Sequence, residues 1–147
     1  MASESIASSV GTDAYRLPLP DGWADHTAIT IAGVASSDGV VPNVVVTRQV
    51  LCQSLGLGGF ADGQQNLMRD EVDRYELLAN EHCEIAGARA LVRTVRFELG
   101  GGAALRQRQA FLLHEGLGYT ISCTASDAGF DDVEETFAAI LEGFELA

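Results

Sequence analysis

Gly56-Leu57-Gly58-Gly59-Phe60-Ala61 is the stretch whose residue types come nearest to a chemical motif. It fits G-x-G-x-x-A, follows a strand-like run and leads into a helical one. Glu81 lies about 20 residues on, near the spacing at which an acid grips a ribose in dinucleotide binding. In that chemistry the glycines let backbone N–H groups at a helix N-terminus approach a pyrophosphate. Three features oppose it. Residues 52–55 separate the preceding strand from Gly56, the segments that follow read as hairpins and not a parallel βαβ unit, and 147 residues are too few for a doubly wound fold plus a substrate domain. A small-molecule or nucleotide module built on the loop 56–61 is therefore the alternative reading.

The remaining chemical residues are sparse. His82-Cys83 with His26 or His114 has no x2–x4 pair spacing, and neighbours along a strand point to opposite faces, so no metal centre is expected. Ser122 and Cys123 lie mid-strand and not on a nucleophile elbow, so no catalytic residue is assigned. Cys52, Cys83 and Cys123 are an odd set without CxxC spacing, which argues against a disulfide framework. All nine basic residues are arginine, so a Schiff-base or P-loop lysine is excluded. A net charge of −12 repels phosphate backbones and excludes a nucleic-acid partner. No apolar run approaches the roughly 18 residues of a membrane span. Arg96, Arg106 and Arg108 share a polar strand face, with Arg96 opposite Arg106. They need carboxylates, supplied by this chain's surplus acids or by a partner.

Those residues must be positioned by a mostly β chain. Residues 1–13, Ser-rich and small, are expected to be a disordered arm, and 14–147 a single domain. Tyr15–Leu19 reads as a strand that Pro18 and Pro20 confine to an edge. Trp23, after the Asp21-Gly22 turn, is expected to close one end of the core. His26–Ala32 is a strand with Thr27, Ile29 and Ile31 on one face and Ala28 and Thr30 on the other. Asn43–Leu51, dense in β-branched residues, is a central strand. Phe60–Arg74 is an amphipathic helix with Phe60, Gln64, Leu67, Met68, Glu71 and Val72 at helical spacing. Tyr75–Ile85 is a strand, and Asp131–Leu146 a helix with Val133, Phe137, Ile140, Leu141 and Phe144 on one stripe. Its first-turn acids suit the helix dipole.

Between those last two elements lie three consecutive strands, Ala88–Leu99, Ala103–His114 and Leu117–Ala125. A fold about Gly101 sets Leu91 opposite Phe111, Val95 opposite Gln107 and Phe97 opposite Leu105. A three-residue turn at Gly116 would set Phe111 opposite Ile121, whereas a two-residue turn would set it opposite Thr120. Burial of one face selects the longer turn, because a one-residue slip flips every side chain. One dry face then holds Leu91, Val95, Phe97, Phe111, Leu113, Tyr119, Ile121 and Cys123, leaving the arginine face open. Arg93 and Gln109 fall on the dry face, where Arg93 is expected to meet Glu134 or Glu135. Short connections between neighbouring strands imply an α+β fold: an antiparallel sheet of about six to seven strands with both helices packed on it.

Several segments together resemble the DcrB-like family, which has the PsbP/Mog1-type fold. They are Pro20-Asp21-Gly22-Trp23-Ala24-Asp25, Val44-Val45-Val46-Thr47-Arg48, the helix from Phe60, Ile85-Ala86-Gly87-Ala88-Arg89-Ala90, Arg108-Gln109-Ala110-Phe111, and the closing helix with Phe137 and Phe144. The resemblance implies an α/β/α sandwich around an antiparallel sheet, no enzymatic activity and no cofactor. One branch comprises envelope lipoproteins, whose signal and cysteine this sequence does not show. The other comprises cytoplasmic adaptor-chaperones of type VI secretion effectors, homodimers that shield apolar N-terminal helices in a groove. Carried over by position, the partner-binding contacts are Ala28, Thr30 and Val45, to which the open face adds Arg96, Arg106 and Arg108. Larger aliphatics would be expected at the first two. The expectation is a cytoplasmic, non-catalytic domain that binds a protein partner, with a structural interaction module as a further alternative.

Overall fold

The computed structural model describes residues 6–11, 14–51 and 54–146. Ten elements follow one another: β1 Ile6–Gly11, β2 Arg16–Pro20, β3 Ala28–Ala32, β4 Asn43–Val50, α1 Leu57–Glu71, β5 Asp73–Ile85, β6 Ala88–Glu98, β7 Ala104–His114, β8 Leu117–Ser126 and α2 Phe130–Glu142. β3 to β8 form one sheet in the order β3-β4-β8-β7-β6-β5, antiparallel throughout. The α+β class and the strand-rich order read from the sequence are those of the molecule.

β1 and β2 form a separate two-stranded ribbon. Ile6–Gly11 is therefore not part of a disordered arm; the remaining arm residues, 1–5, 12 and 13, lie outside the described ones. In a two-stranded ribbon both strands are edges, so Pro18 and Pro20 of β2 interrupt no second ladder.

The hairpin β6–β7 has the expected register, with Leu91 opposite Phe111 and Phe97 opposite Leu105. The hairpin β7–β8 does not. Phe111 opposes Thr120 and His114 opposes Leu117, so the turn is the two residues Glu115-Gly116. Both have positive φ, 51° and 78°. That is the primed turn whose twist matches two adjoining strands. Burial did not select the longer turn because both faces of the sheet are covered.

The registers trace the two faces. Leu91, Phe111, Thr120, Thr47 and Ala28 lie in one row across the sheet, and Ala90, Leu112 and Tyr119 in the neighbouring row on the opposite face. α1 lies over β6 and β7 on the first face, where Phe60 and Ala61 pack with Leu91 and Phe111. α2 lies over β8 on the second, where Phe130, Phe137 and Leu141 pack with Ile121, Cys123, Ala110 and Leu112. The expected single dry face merged two apolar faces, and Tyr119, Ile121 and Cys123 belong to the one carrying the arginines.

α1 starts three residues earlier than Phe60, inside the glycine loop; it buries Phe60 of the expected stripe together with Ala61 and Gln65, while Gln64, Met68 and Val72 are half-buried. Leu67 is 63% exposed. Gly118 of β8 lies beneath Phe60, and a Cβ there would stand 2.7 Å from the ring's Cζ. α2 buries Phe137 and Leu141 as the stripe predicts, but ends at Glu142, before Gly143.

Candidate functional site

The six residues expected to bind a partner divide between opposite faces. Ala28, Thr30 and Val45 share α1's side of the sheet, at the β3–β4 end that α1 does not reach. Arg96, Arg106 and Arg108 lie on α2's side. They cannot line one groove.

Nor is the arginine face open. Asp127, between β8 and α2, accepts from Arg106 Nη2 at 2.7 Å and pairs with Arg96 Nε at 3.1 Å. Arg108 Nη2 donates to Glu134 of α2 at 2.8 Å. The guanidinium carbons of Arg106 and Arg108 stand 5.4 and 5.3 Å from the Phe130 ring centroid, in cation–π range. Of the two sources expected for their carboxylates, the chain's own acids meet these cations. Arg93 is on α1's side of the sheet, away from Glu134 and Glu135 of α2, and finds other partners. It lies under α1, 8% exposed, and donates to Asp62 Oδ1 at 2.8 Å, Asn80 Oδ1 at 3.1 Å and Gln65 Oε1. Gln109 beside it donates to Gln107 and to Met68 Sδ.

The motif Gly56–Ala61 forms no dinucleotide crevice. The strand before it, β4, is antiparallel to β8, and α1 returns to an antiparallel hairpin. Phe60 and Ala61 are spent on the core. His82 and Cys83 point to opposite faces, and among the described residues no three His, Cys, Asp or Glu side chains cluster as a metal site. Burial pushes the Cys123 thiol up to about 11, against the pull of Arg108, leaving it protonated at neutral pH.

A concave apolar surface lies where sequence reasoning did not put one. Along the β3–β4 end of the sheet, on α2's side, Ile31, Val34 and Val44 face Val133, Phe137 and Ile140 across a cavity of about 410 Å³. The next station along the strands, about 370 Å³, has Ile29, Val46 and Tyr119 facing Phe144 and Leu146. Ile29 is 64% and Ile31 51% exposed, because α2 sits over β8 and stops short of β3. Arg48 closes this stretch and borders a third hollow, about 740 Å³, with Trp23, Leu19, Val50 and Leu117. Trp23 is 73% exposed there, so it caps no core; its placement at a sheet end, away from both helices, leaves its ring in water. Arg48 is held by Asp25 at 3.2 Å, and Asp25 also accepts the Thr27 N–H at 2.8 Å. The Thr27 hydroxyl first, then its N–H and Arg48, hold the Asp25 carboxyl below its usual range.

Val44, Val46, Arg48 and Val50 mark the floor of this run. Six steps along the strand, Val44 to Val50, make it about 20 Å long, the length of about 13 helical residues. The signal for it was present in the sequence. Ile29 and Ile31 alternate with Ala28 and Thr30, and the aliphatics expected at the latter stand one residue along, on the other face.

The fold and the groove define an antiparallel α/β/α sandwich with an uncovered apolar strip. Comparison with known proteins gives that class a family: the DcrB profile matches residues 16–143, and the chain belongs to the DcrB family. A search of curated proteins found no match. Among solved structures, a Pseudomonas aeruginosa protein of unknown function, PA94, superposes with a TM-score of 0.79 at 16% identity, over 95% of this chain and 96% of that one. The cyanobacterial PsbP protein CyanoP of Synechocystis sp. PCC 6803 does so with a TM-score of 0.59 at 15% identity, over 95% and 92%. At these identities the likeness is one of fold, and the PsbP-type sandwich is that fold.

Proposed function

We propose that this DcrB-family domain is a non-catalytic, cytoplasmic adaptor-chaperone that shields an apolar helix of a secreted, type VI-like effector. The observation that carries this reading is the groove between β3 and α2, with Ile29 and Ile31 half or more exposed beside Val133, Ile140 and Phe144. An apolar helix laid there buries area on both partners, and buried apolar area is what binds it. A transmembrane-type helix is apolar all round and one groove covers one side, so two copies enclosing it form the binding unit. In keeping with a water-borne carrier, no helix among the described residues is long and apolar enough to cross a membrane.

The test is co-expression with an effector bearing apolar N-terminal helices from the same genome. The wild-type chain is expected to keep it soluble and to co-elute with it. Ile31→Asp, at an exposed position, is expected to keep the fold and lose the effector. An effector that stays equally soluble with Ile31→Asp, or never associates with the wild type, sinks the proposal.

A further inference from the structure

Resting on that reading of the groove, we propose that the helix it takes carries cationic residues at its two ends, and that the α2 wall reads them. The two walls are unlike in charge. From Phe130 to Leu146 the chain carries Asp131, Asp132, Glu134, Glu135, Glu142 and Glu145 and no Lys, Arg or His. Only Glu134 has an ion-pair partner among the described residues, Arg108. The facing wall, residues 28–47, holds a single charged side chain, Asp38, and no cation. The one cation of the groove's lining, Arg48, is already held by Asp25.

The acids are also placed unevenly along α2. From Thr136 to Leu141 it carries no acid and supplies Phe137 and Ile140 to the apolar strip. Asp132 lies one turn before Thr136, a lining residue, and so on the same helix face. Glu145 lines the other end directly, beside Phe144. From Asp132 to the end of α2 at Glu142 the helix rises about 15 Å, and Glu145 stands beyond that end. A partner with an apolar centre of about 13 residues would set its end residues over them. Lys or Arg there meets a carboxylate at each end, whereas Asp or Glu meets a like charge. A Debye length of about 8 Å at physiological salt confines this reading to the ends, where the charges are close.

The test uses the full chain and three synthetic peptides with one Leu-Ala core of about 13 residues, ended by pairs of Lys, Ser or Glu and read by fluorescence anisotropy. At low salt the Lys-ended peptide is expected to bind about tenfold tighter than the Glu-ended one, with the Ser-ended peptide between, and the spread to collapse at about 0.5 M salt. Asp132→Asn with Glu145→Gln, both exposed, is expected to remove the spread. Equal binding of the three at low salt overturns the charge reading and leaves the groove standing, as does a spread that survives the double variant. Failure of all three to bind overturns the groove itself.

Discussion

Gly118→Ala tests the β7–β8 register and the seat of α1 together. In the observed register Gly118 faces α1, and an added Cβ would stand 2.7 Å from Phe60 Cζ, 2.8 Å from Phe60 Cε1 and 2.9 Å from Leu51 Cδ1. Contacts under 3 Å force a neighbour to move. Leu51 is half-buried and can turn. Phe60 is 2% exposed, with its ring edge-on to Phe111 at 5.9 Å, so it moves only with α1 or off its rotamer. Overpacking of this kind costs about 1–3 kcal/mol. In a chain of this size that lowers the melting temperature by about 2–4 °C for each kcal/mol. Urea unfolding should show the midpoint falling at constant m. Phe60→Leu removes the ring tip, so in that background Gly118→Ala should cost little, giving a coupling of about 1 kcal/mol or more. Had the turn held three residues, Gly118 would face α2's side and Phe60 would be indifferent to it. Additive costs in the cycle, or a Gly118→Ala protein as stable as the parent, would refute the register.

Two further outcomes follow from polar contacts. Arg93→Ala leaves Gln65 and Asn80 acceptors without their charged donor, and should cost about 2–3 kcal/mol in urea unfolding while raising hydrogen exchange across residues 57–71; a loss under about 0.5 kcal/mol would show that α1 is held by Phe60 alone. Asp38 is held from 3.8 down to about 2, first by the Ser126 hydroxyl, then by Ser36 and the Val40 N–H. A carboxyl lowered in the folded state stabilises fully above its unfolded pKa, and that contribution is lost as pH falls through the folded one. Asp38→Asn should therefore flatten the stability–pH curve between about pH 4 and pH 2, and an unaltered acid limb would contradict the assignment.

Much of the fold was legible because local signals agreed with it. The glycine turns and the alternation of Leu117, Tyr119, Ile121, Cys123 and Ala125 located β6, β7 and β8 to within a residue or two. The faces were not legible from burial alone. With one dry face, Phe111 opposite Thr120 looks unfavourable; with a helix on each side, Phe111 goes to α1 and Tyr119 and Ile121 go to α2. The turn then decided, through positive φ at Glu115 and Gly116. Ala28 and Thr30 were placed by position in the family resemblance, and the exposed aliphatics Ile29 and Ile31 stand one residue along, on the other face. Trp23 was assigned to the core from its type, but exposure at a sheet end is set by tertiary placement, which its neighbours in the chain do not encode.

The position of the groove follows from a mismatch of widths. Six strands at about 4.8 Å make a sheet nearly 30 Å across, while one helix is about 10 Å wide. A single helix per face therefore leaves strands bare. α1 takes β6–β7 and α2 takes β8, so β3 is bare on both sides and β4 is covered only in part, at Val44. On α1's side the exposed positions are Ala28, Thr30, Ala32, Thr47 and Gln49, small or polar and at home in water. On α2's side they include Ile29, Ile31 and Val50, continuous with Val46 and the α2 stripe. Equal lack of cover thus leaves an apolar demand on one face only. The arginines cannot meet it, since Asp127 and Glu134 already tie them over β7. A partner of the kind proposed would approach along β3, beside α2, and present apolar side chains over a length of about 20 Å.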